Sequence, residues 1–184
     1  MAKKEERGKG RRGGIKKIDG RHFSSGGVVF KKEKAKTLWL VTKSSVSKDF
    51  PEAVWRLPKG MLDDEGKGFA PGPMARGEIK ATEEVIRETA LREVEEEGGV
   101  VAEIVSKIET VKYFITVAGK RYMKFVTFYL MERQRDLPEG FGHETSEITW
   151  LPFEKAREKI TYDGERRVLD SAKEVLEKEQ RKQN

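Results

Sequence analysis

Cysteine is absent from the 184 residues, and histidine occurs only at His22 and His143. Without cysteine the chain forms no disulfide and offers no thiolate to a metal, so a cytoplasmic protein is expected. Two imidazoles argue against a zinc site and against a nucleophile activated by histidine. No apolar run is long enough to cross a membrane or to serve as a signal peptide, and we expect no membrane contact.

The net charge of +6 has a definite place in the chain. Residues 1–22 contain nine lysines and arginines but three acidic residues, so this segment carries the whole excess and the remainder is balanced. The segment has few apolar residues, which predicts a disordered tail followed by a single domain over residues 23–184. The tail could contact RNA or another polyanion, or it could only aid solubility; the sequence leaves both open.

The densest group of acidic residues lies between Arg92 and Gly98. If this run is helical, Glu93, Glu96 and Glu97 share one face of the helix. Like charges at this spacing repel one another, and carboxylate oxygens are the ligands that magnesium and manganese prefer. The pattern therefore predicts a divalent metal site, with a solvated acidic helix face as the alternative.

Capping signals set the limits of this helix. Thr82 offers a hydroxyl to the first turn, where Glu83 and Glu84 complement the helix dipole. Gly98 and Gly99 end the helix, because glycine readily takes the left-handed conformation of a C-terminal cap. We predict a helix over residues 83–98.

Short apolar and β-branched runs separated by turn signals predict strands on both sides of this helix, two of them joined in a hairpin, and two helices at the end of the chain. The predicted strands are 26–30, 37–42, 54–57, 102–116, 122–131 and 148–151, the late helices are 154–159 and 165 onward, and the long loops are 61–77 and 133–146. This order predicts an α/β (α+β) fold with a mixed sheet between helices.

The acidic run resembles the Nudix box, G-x5-E-x7-R-E-U-x-E-E-x-G-U, in which U is aliphatic. Its second half matches position by position, from Glu84 through the run that begins at Arg92 and ends at Val100. Six residues before Glu84 stands Glu78 instead of glycine. The glycine of the motif corresponds to Gly60 if residues 61–77 are an insertion in the spacer.

The resemblance implies a Nudix-type α/β/α sandwich and hydrolysis of a phosphoanhydride bond in a nucleoside diphosphate linked to another group, with Mg²⁺ or Mn²⁺ required. It implies that Arg92 pairs with Glu84 and that a late acidic residue, Glu144 or alternatively Glu147, assists catalysis. The metal ligands it implies are Glu96, Glu97, the Gly60 carbonyl, and Glu93, which could instead orient the attacking water.

Residues before the insertion and in the hairpin resemble those of diadenosine polyphosphate hydrolases and relatives of MutT. Basic groups suit phosphates and aromatic rings can stack on bases, although a solvated edge or a core position is the alternative. The substrate-contact candidates are Lys43, Arg56, Lys59, Tyr113, Tyr122 and Lys124.

The predicted substrate is a dinucleoside polyphosphate such as diadenosine tetraphosphate. Nucleoside triphosphates, diphosphoinositol polyphosphates and RNA 5′ ends remain alternatives, as does a module that senses a nucleotide without cleaving it. The sequence does not indicate the oligomeric state.

Overall fold

The computed structural model describes residues 17–47, 51–63 and 70–183, which form one mixed sheet and three helices. In chain order the elements of these residues are β1 Gly20–Glu33, β2 Lys36–Ser44, β3 Trp55–Arg56, β4 Lys59–Met61, α1 Glu83–Gly98, β5 Val100–Val117, β6 Lys120–Asp136, β7 Thr145–Pro152, α2 Phe153–Lys159 and α3 Asp163–Gln183. The predicted α+β class and the mixed sheet are confirmed. None of the described helices is long and apolar enough to span a membrane.

The sheet has the strand order β3-β2-β1-β6-β5, with β4 added to β1 and β7 added to β2. Strands β1 and β6 run parallel, whereas the other pairs are antiparallel. Strand β1 therefore lies at the centre and carries β4 on one side of its first half. This arrangement brings β4 into contact with α1.

Each face of the sheet buries its own apolar layer. On one face α1 contributes Ala90 and Val94, which pack with Val29, Leu40 and Tyr129 of the sheet. On the other face α2 and α3 cover a second cluster. Its buried members are Val28, Phe30, Trp39, Val41, Leu57, Val126, Phe128, Leu130, Ala156, Ile160, Val168, Leu169, Ala172 and Leu176. Two such layers confirm a sheet sandwiched between helices.

Helix α1 has the predicted limits. The Val85 N–H donates to the Thr82 hydroxyl at 3.3 Å, so Thr82 caps the first turn. At the other end Gly99 has φ = 65°, a left-handed conformation that other residues adopt at a cost, and its N–H donates to the Glu95 carbonyl. Local signals alone therefore determine where this helix begins and ends.

The strands differ from the prediction mainly in length. Strand β1 begins at Gly20, so residues 20–22 belong to the sheet and not to the predicted tail; residues 1–16 lie outside the described residues. Strand β6 continues to Asp136 and β7 starts at Thr145, which shortens the predicted loop 133–146. The predicted strand 54–57 is reduced to β3. Charged residues alternate with apolar ones at the strand ends, and such positions remain compatible with a solvent-exposed sheet edge.

The described part of the predicted insertion 61–77 is fastened at both ends; residues 64–69 lie outside the described residues. The carboxylate of Asp63 accepts hydrogen bonds from the N–H groups of Met74 at 2.8 Å and Ala75 at 3.0 Å. The Ala75 carbonyl in turn accepts from the Phe23 N–H of β1 at 2.8 Å. The segment thus returns to the sheet before α1 begins.

Candidate active site

Strand β4 lies against the acidic face of α1, and Gly60 faces the carboxyl group of Glu93. A Cβ atom at this position would lie 2.1–2.2 Å from the carboxyl group of Glu93, closer than any real Cβ contact. Any larger residue here would therefore displace the Glu93 carboxyl group. The structure brings together the glycine and the first acid of the predicted metal site, although 33 positions separate them in the sequence.

The carboxylate of Glu97 is buried beneath the segment that precedes Gly60. Its side chain is 4% exposed and accepts hydrogen bonds from the Lys59 N–H at 2.9 Å and from the guanidinium of Arg56. Burial raises the pKa of Glu97, while the charges of Arg56 and Lys59 oppose that rise. Glu97 therefore links α1 to the backbone of residues 56–59.

The predicted pairing of Arg92 with Glu84 is wrong. The Arg92 guanidinium lies 2.7 Å from a Glu93 oxygen and 2.9 Å from a Glu96 oxygen, and it donates to the Met61 carbonyl at 3.2 Å. Glu84 precedes Arg92 by two helical turns, a rise of about 12 Å, which places the exposed Glu84 out of reach. Arg92 instead orients the acids beside it and joins them to the end of β4.

Burial raises the pKa of Glu93 to about 8, and the neighbouring charges of Glu97, Glu96 and Glu144 act in the same direction against the attraction of Arg92. Glu93 is 5% exposed as a residue. Glu96 differs, because its side chain is 55% exposed at the rim. A buried carboxyl surrounded by other acids is a position where a bound cation would be strongly favoured.

The loop after β6 carries Glu144 to the same site. The Gly142 N–H donates to the Glu96 carbonyl at 2.6 Å, and the Ser45 N–H donates to the Glu144 carbonyl at 2.9 Å. The Glu144 charge acts on both Glu93 and Glu97. Glu147, the alternative, points to Lys43 at 3.7 Å. This geometry favours Glu144 as the assisting acid.

The substrate-contact candidates divide into two groups. The charges of Lys59 and Arg56 act on the Lys124 ammonium. Lys124 is also paired in register with Tyr113 on β5. Burial is the largest cause that lowers the pKa of Lys124 to about 8, and the charges of Lys59 and Arg56 contribute to this shift. These four residues form one basic and aromatic group next to Glu97.

The other two candidates, Lys43 and Tyr122, are not members of this group. Lys43 contacts Glu147 and the ring of Trp55, at 5.7 Å from its centroid, so the structure does not bring it to the acidic face. Tyr122 is two residues before Lys124 on β6 and stacks on His22 with 4.3 Å between ring centroids. Since alternate strand residues share a face, Tyr122 lies beside Lys124.

One buried acid of this region escaped the sequence analysis. Glu165 in the first turn of α3 forms an ion pair with Lys59 at 2.8 Å and accepts from the Leu57 N–H at 2.7 Å. Its partners lie 106 and 108 positions away in the sequence. Its spacing carried no signal, because an acid in a first turn is ordinarily explained by the helix dipole.

The chemistry of the donor set fits a divalent metal. Carboxylates of Glu93, Glu96 and Glu97 and the Gly60 carbonyl would supply the hard oxygen ligands that magnesium and manganese prefer. Within the described ranges, no three acidic or histidine side chains already converge as a metal cluster. Arg56 and Arg92 instead neutralise these carboxylates. Metal binding would require these guanidinium groups to move away from some of the carboxylate oxygens.

The chain is similar in sequence to known proteins. A family model described as the NUDIX domain matches residues 20–172. A Mycobacterium tuberculosis protein provisionally named mutator protein MutT4 is 29% identical over 119 residues, which is 65% of this chain and 47% of that protein. The chain thus spans about half the length of this curated relative.

Solved structures share the fold. The MutT protein from Methanosarcina mazei Go1 has a TM-score of 0.56 at 16% identity, with 87% of this chain and 99% of that chain covered. The Ap4A hydrolase binary complex of C. elegans has a TM-score of 0.55 at 19% identity, with 84% and 97% covered. At these identities the similarity establishes the fold and not the substrate.

Proposed function

The chain belongs to the Nudix hydrolase family, a family of pyrophosphohydrolases of nucleoside diphosphate derivatives, and we propose that it hydrolyses a dinucleoside polyphosphate such as diadenosine tetraphosphate. The reaction would break a phosphoanhydride bond by attack of water on phosphorus. The observation that carries the proposal is the contact of Gly60 with the buried Glu93 of the acidic helix face. A cytoplasmic location stays a prediction of the sequence.

The acidic face would serve phosphoryl chemistry in a specific way. A bound Mg²⁺ or Mn²⁺ would neutralise phosphate charge and polarise the phosphorus. Glu96, Glu97, Glu93 and the Gly60 carbonyl would hold the metal, and Arg92 would keep Glu93 and Glu96 oriented. Glu93 or Glu144 would accept the proton of the attacking water, because both acids face the site from different elements.

The basic group next to Glu97 supports a substrate with several phosphates. Arg56, Lys59 and Lys124 are three cations that influence one another electrostatically. Tyr113 on β5 and Tyr122 on β6 lie on the two paired strands of the hairpin, and their rings would stack on a base. A structural neighbour named as an Ap4A hydrolase motivates the choice of this substrate class. Nucleoside triphosphates, diphosphoinositol polyphosphates and RNA 5′ ends are the competing substrates.

A substrate panel with product analysis tests the choice. The purified protein with Mg²⁺ should convert diadenosine tetraphosphate to ATP and AMP faster than it turns over nucleoside triphosphates, a diphosphoinositol polyphosphate or triphosphate RNA. Rapid turnover of an oxidised guanine triphosphate with no turnover of diadenosine tetraphosphate would overturn the substrate assignment and leave the metal site intact.

Glu96→Gln separates the enzyme from a binding-only module. Glu96 is exposed, so its loss should leave the fold intact while hydrolysis of diadenosine tetraphosphate to ATP and AMP slows by roughly two orders of magnitude or more. Glu95→Gln is the matched control, because Glu95 is exposed on the same helix and lies off the acidic face. Equal rates of ATP and AMP formation by both variants would refute the metal-site assignment.

A further inference from the structure

We infer that Glu165 is a positioning residue that holds the segment from Arg56 to Gly60 over the metal-binding face of α1. The inference rests on the proposed function, because it assigns Glu165 a role in metal binding at the same site. Glu165 itself lies on α3, across the sheet from the acidic helix. It would act through the backbone of the segment and without touching substrate or metal.

The carboxylate of Glu165 contacts this segment at Leu57 and at Lys59. One carboxylate oxygen accepts from the Leu57 N–H at 2.7 Å, and the other lies 2.8 Å from the Lys59 ammonium. The Lys59 ammonium also donates to the Leu57 carbonyl at 3.3 Å. The side chains of Glu165 and Lys59 are each 7% exposed. Three contacts of one buried ion pair thus fix the path of the chain through Pro58.

The opposite side of the segment is held by α1 and β1. The Lys59 N–H donates to Glu97 at 2.9 Å, and the Pro58 carbonyl accepts from the Gly27 N–H at 3.1 Å. Residues 57–59 are therefore clamped between a carboxylate of α1 and a carboxylate of α3. Gly60 follows at once and has no room to shift toward Glu93, since even a Cβ would collide with that carboxyl.

The core does not require this ion pair in order to dock α3. Val168, Leu169, Ala172 and Leu176 already bury the apolar face of the helix against the sheet. A buried ion pair is weak evidence for stability, because the desolvation of two charges offsets their attraction. Its value here is geometric: it fixes where the Gly60 carbonyl lies relative to Glu93 and Glu97.

Mn²⁺ binding, measured by electron paramagnetic resonance, tests the inference without relying on turnover. In Glu165→Gln the amide still accepts from the Leu57 N–H but no longer carries the charge that holds Lys59. We expect a Kd for Mn²⁺ about tenfold weaker, the range of effects seen when groups behind metal ligands are removed. The metal concentration for half-maximal activity should rise by the same factor while KM at saturating metal changes less.

Asp163→Asn is the matched control. Asp163 lies in the same turn of α3, is 79% exposed and pairs with Arg166, so its loss should leave the Mn²⁺ Kd unchanged. Glu165→Asp is the second variant. It keeps the negative charge that pairs with Lys59, but its side chain is one methylene shorter, so residues 57–59 must shift. This variant keeps the test available if Glu165→Gln fails to fold.

The outcomes separate the two proposals. A weaker Mn²⁺ Kd in Glu165→Asp and Glu165→Gln, with wild-type values in Asp163→Asn, supports the positioning role. Wild-type Mn²⁺ affinity in a folded Glu165→Asp protein overturns the inference even if the thermal midpoint falls, since Glu165 would then be structural only. Absence of Mn²⁺ binding by the wild-type protein would overturn the proposed function as well.

Discussion

At the residue scale, the guanidinium of Arg56 supplies the positive charge beside the buried Glu97 carboxylate. In the absence of metal, Arg56→Met would leave the buried Glu97 carboxylate with only the Lys59 N–H as its described partner. We expect the free energy of unfolding in EDTA to fall by about 3 kcal/mol, because an uncompensated buried charge is costly. Saturating Mg²⁺ should restore part of this loss, and urea denaturation in both buffers measures it.

The control for this experiment is Arg157→Met. Arg157 pairs with Asp170 on the surface, so its loss should leave the free energy of unfolding nearly unchanged in either buffer. A loss in Arg56→Met that Mg²⁺ leaves unchanged would show that the metal does not bind at Glu97.

Lys124 predicts an alkaline limit to activity. Its pKa is lowered to about 8 by burial and by the nearby Lys59 and Arg56, so the ammonium loses its charge as the pH rises through about 8. If the charged form contacts substrate phosphate, kcat/KM should fall above this pH, because kcat/KM reports groups of the free enzyme. The pH profile of kcat/KM for the substrate identified above measures the effect.

Lys124→Arg provides the decisive comparison, since a guanidinium stays charged throughout this range. Its profile should stay flat between pH 8 and pH 10. Lys124→Met should lower kcat/KM at pH 7 as well. An unchanged alkaline limb in Lys124→Arg would exclude Lys124 as its source.

At the scale of single elements, the insertion before α1 depends on one carboxylate. Asp63→Ala removes the acceptor of the Met74 and Ala75 N–H groups, and a Cβ on Gly72 would lie 2.2 Å from that same carboxylate. We expect a loss of about 2 kcal/mol of local stability, at roughly 1 kcal/mol per hydrogen bond. Hydrogen exchange over residues 70–80 should accelerate accordingly.

Exchange within α1 provides the internal control for this variant. The helix has its own cap at Thr82, so the amides of residues 86–97 should keep their protection. Faster exchange throughout α1 would instead show that the insertion and the helix open as one unit.

The same elements show how far sequence patterns reach. The limits of α1 could be predicted because Thr82 and Gly99 act through hydrogen bonds to their own neighbours. The shared face of Glu93, Glu96 and Glu97 follows from the helical period in the same way. Gly60 could be placed only through the resemblance to a motif, since nothing local in the sequence requires a glycine at that point.

Contacts between distant elements could not be predicted in this way. Arg92 was assigned to Glu84 by the motif, but the rise of the helix separates them and Arg92 pairs with nearer acids. The ion pair of Glu165 with Lys59 depends on how α3 crosses the sheet. Strand ends were underestimated because their alternating charges resemble those of loops when the neighbouring strand is unknown.

At the scale of the whole molecule, the helices on the two faces of the sheet both contact the segment that carries the site. Helix α1 supplies Glu97 from one face, α3 supplies Glu165 from the other, and residues 57–59 pass between them. The global stability should therefore respond to the charge state of the site. Glu93 is the group whose titration lies in an accessible range.

Metal and pH should act on global stability together. The pKa of Glu93 is about 8 in the folded metal-free protein against an ordinary 4.5, so the folded state keeps a proton that the unfolded chain releases. This contribution to stability is complete below pH 4.5 and is lost as the pH rises toward 8. Mg²⁺ must displace that proton, so it should raise the thermal midpoint more at pH 8 than at pH 6.

Glu93→Gln isolates this linkage, because the amide does not titrate and still fits beside Gly60. Thermal unfolding at pH 6 and pH 8, in EDTA and in Mg²⁺, should show a falling midpoint with pH for the metal-free wild-type protein and a shallower dependence for the variant. The variant should also lose most of the extra stabilisation by Mg²⁺ at pH 8. A wild-type protein that Mg²⁺ stabilises equally at both pH values would show that Glu93 carries no proton to displace, and its buried carboxyl would then be ionised against Arg92 throughout this range.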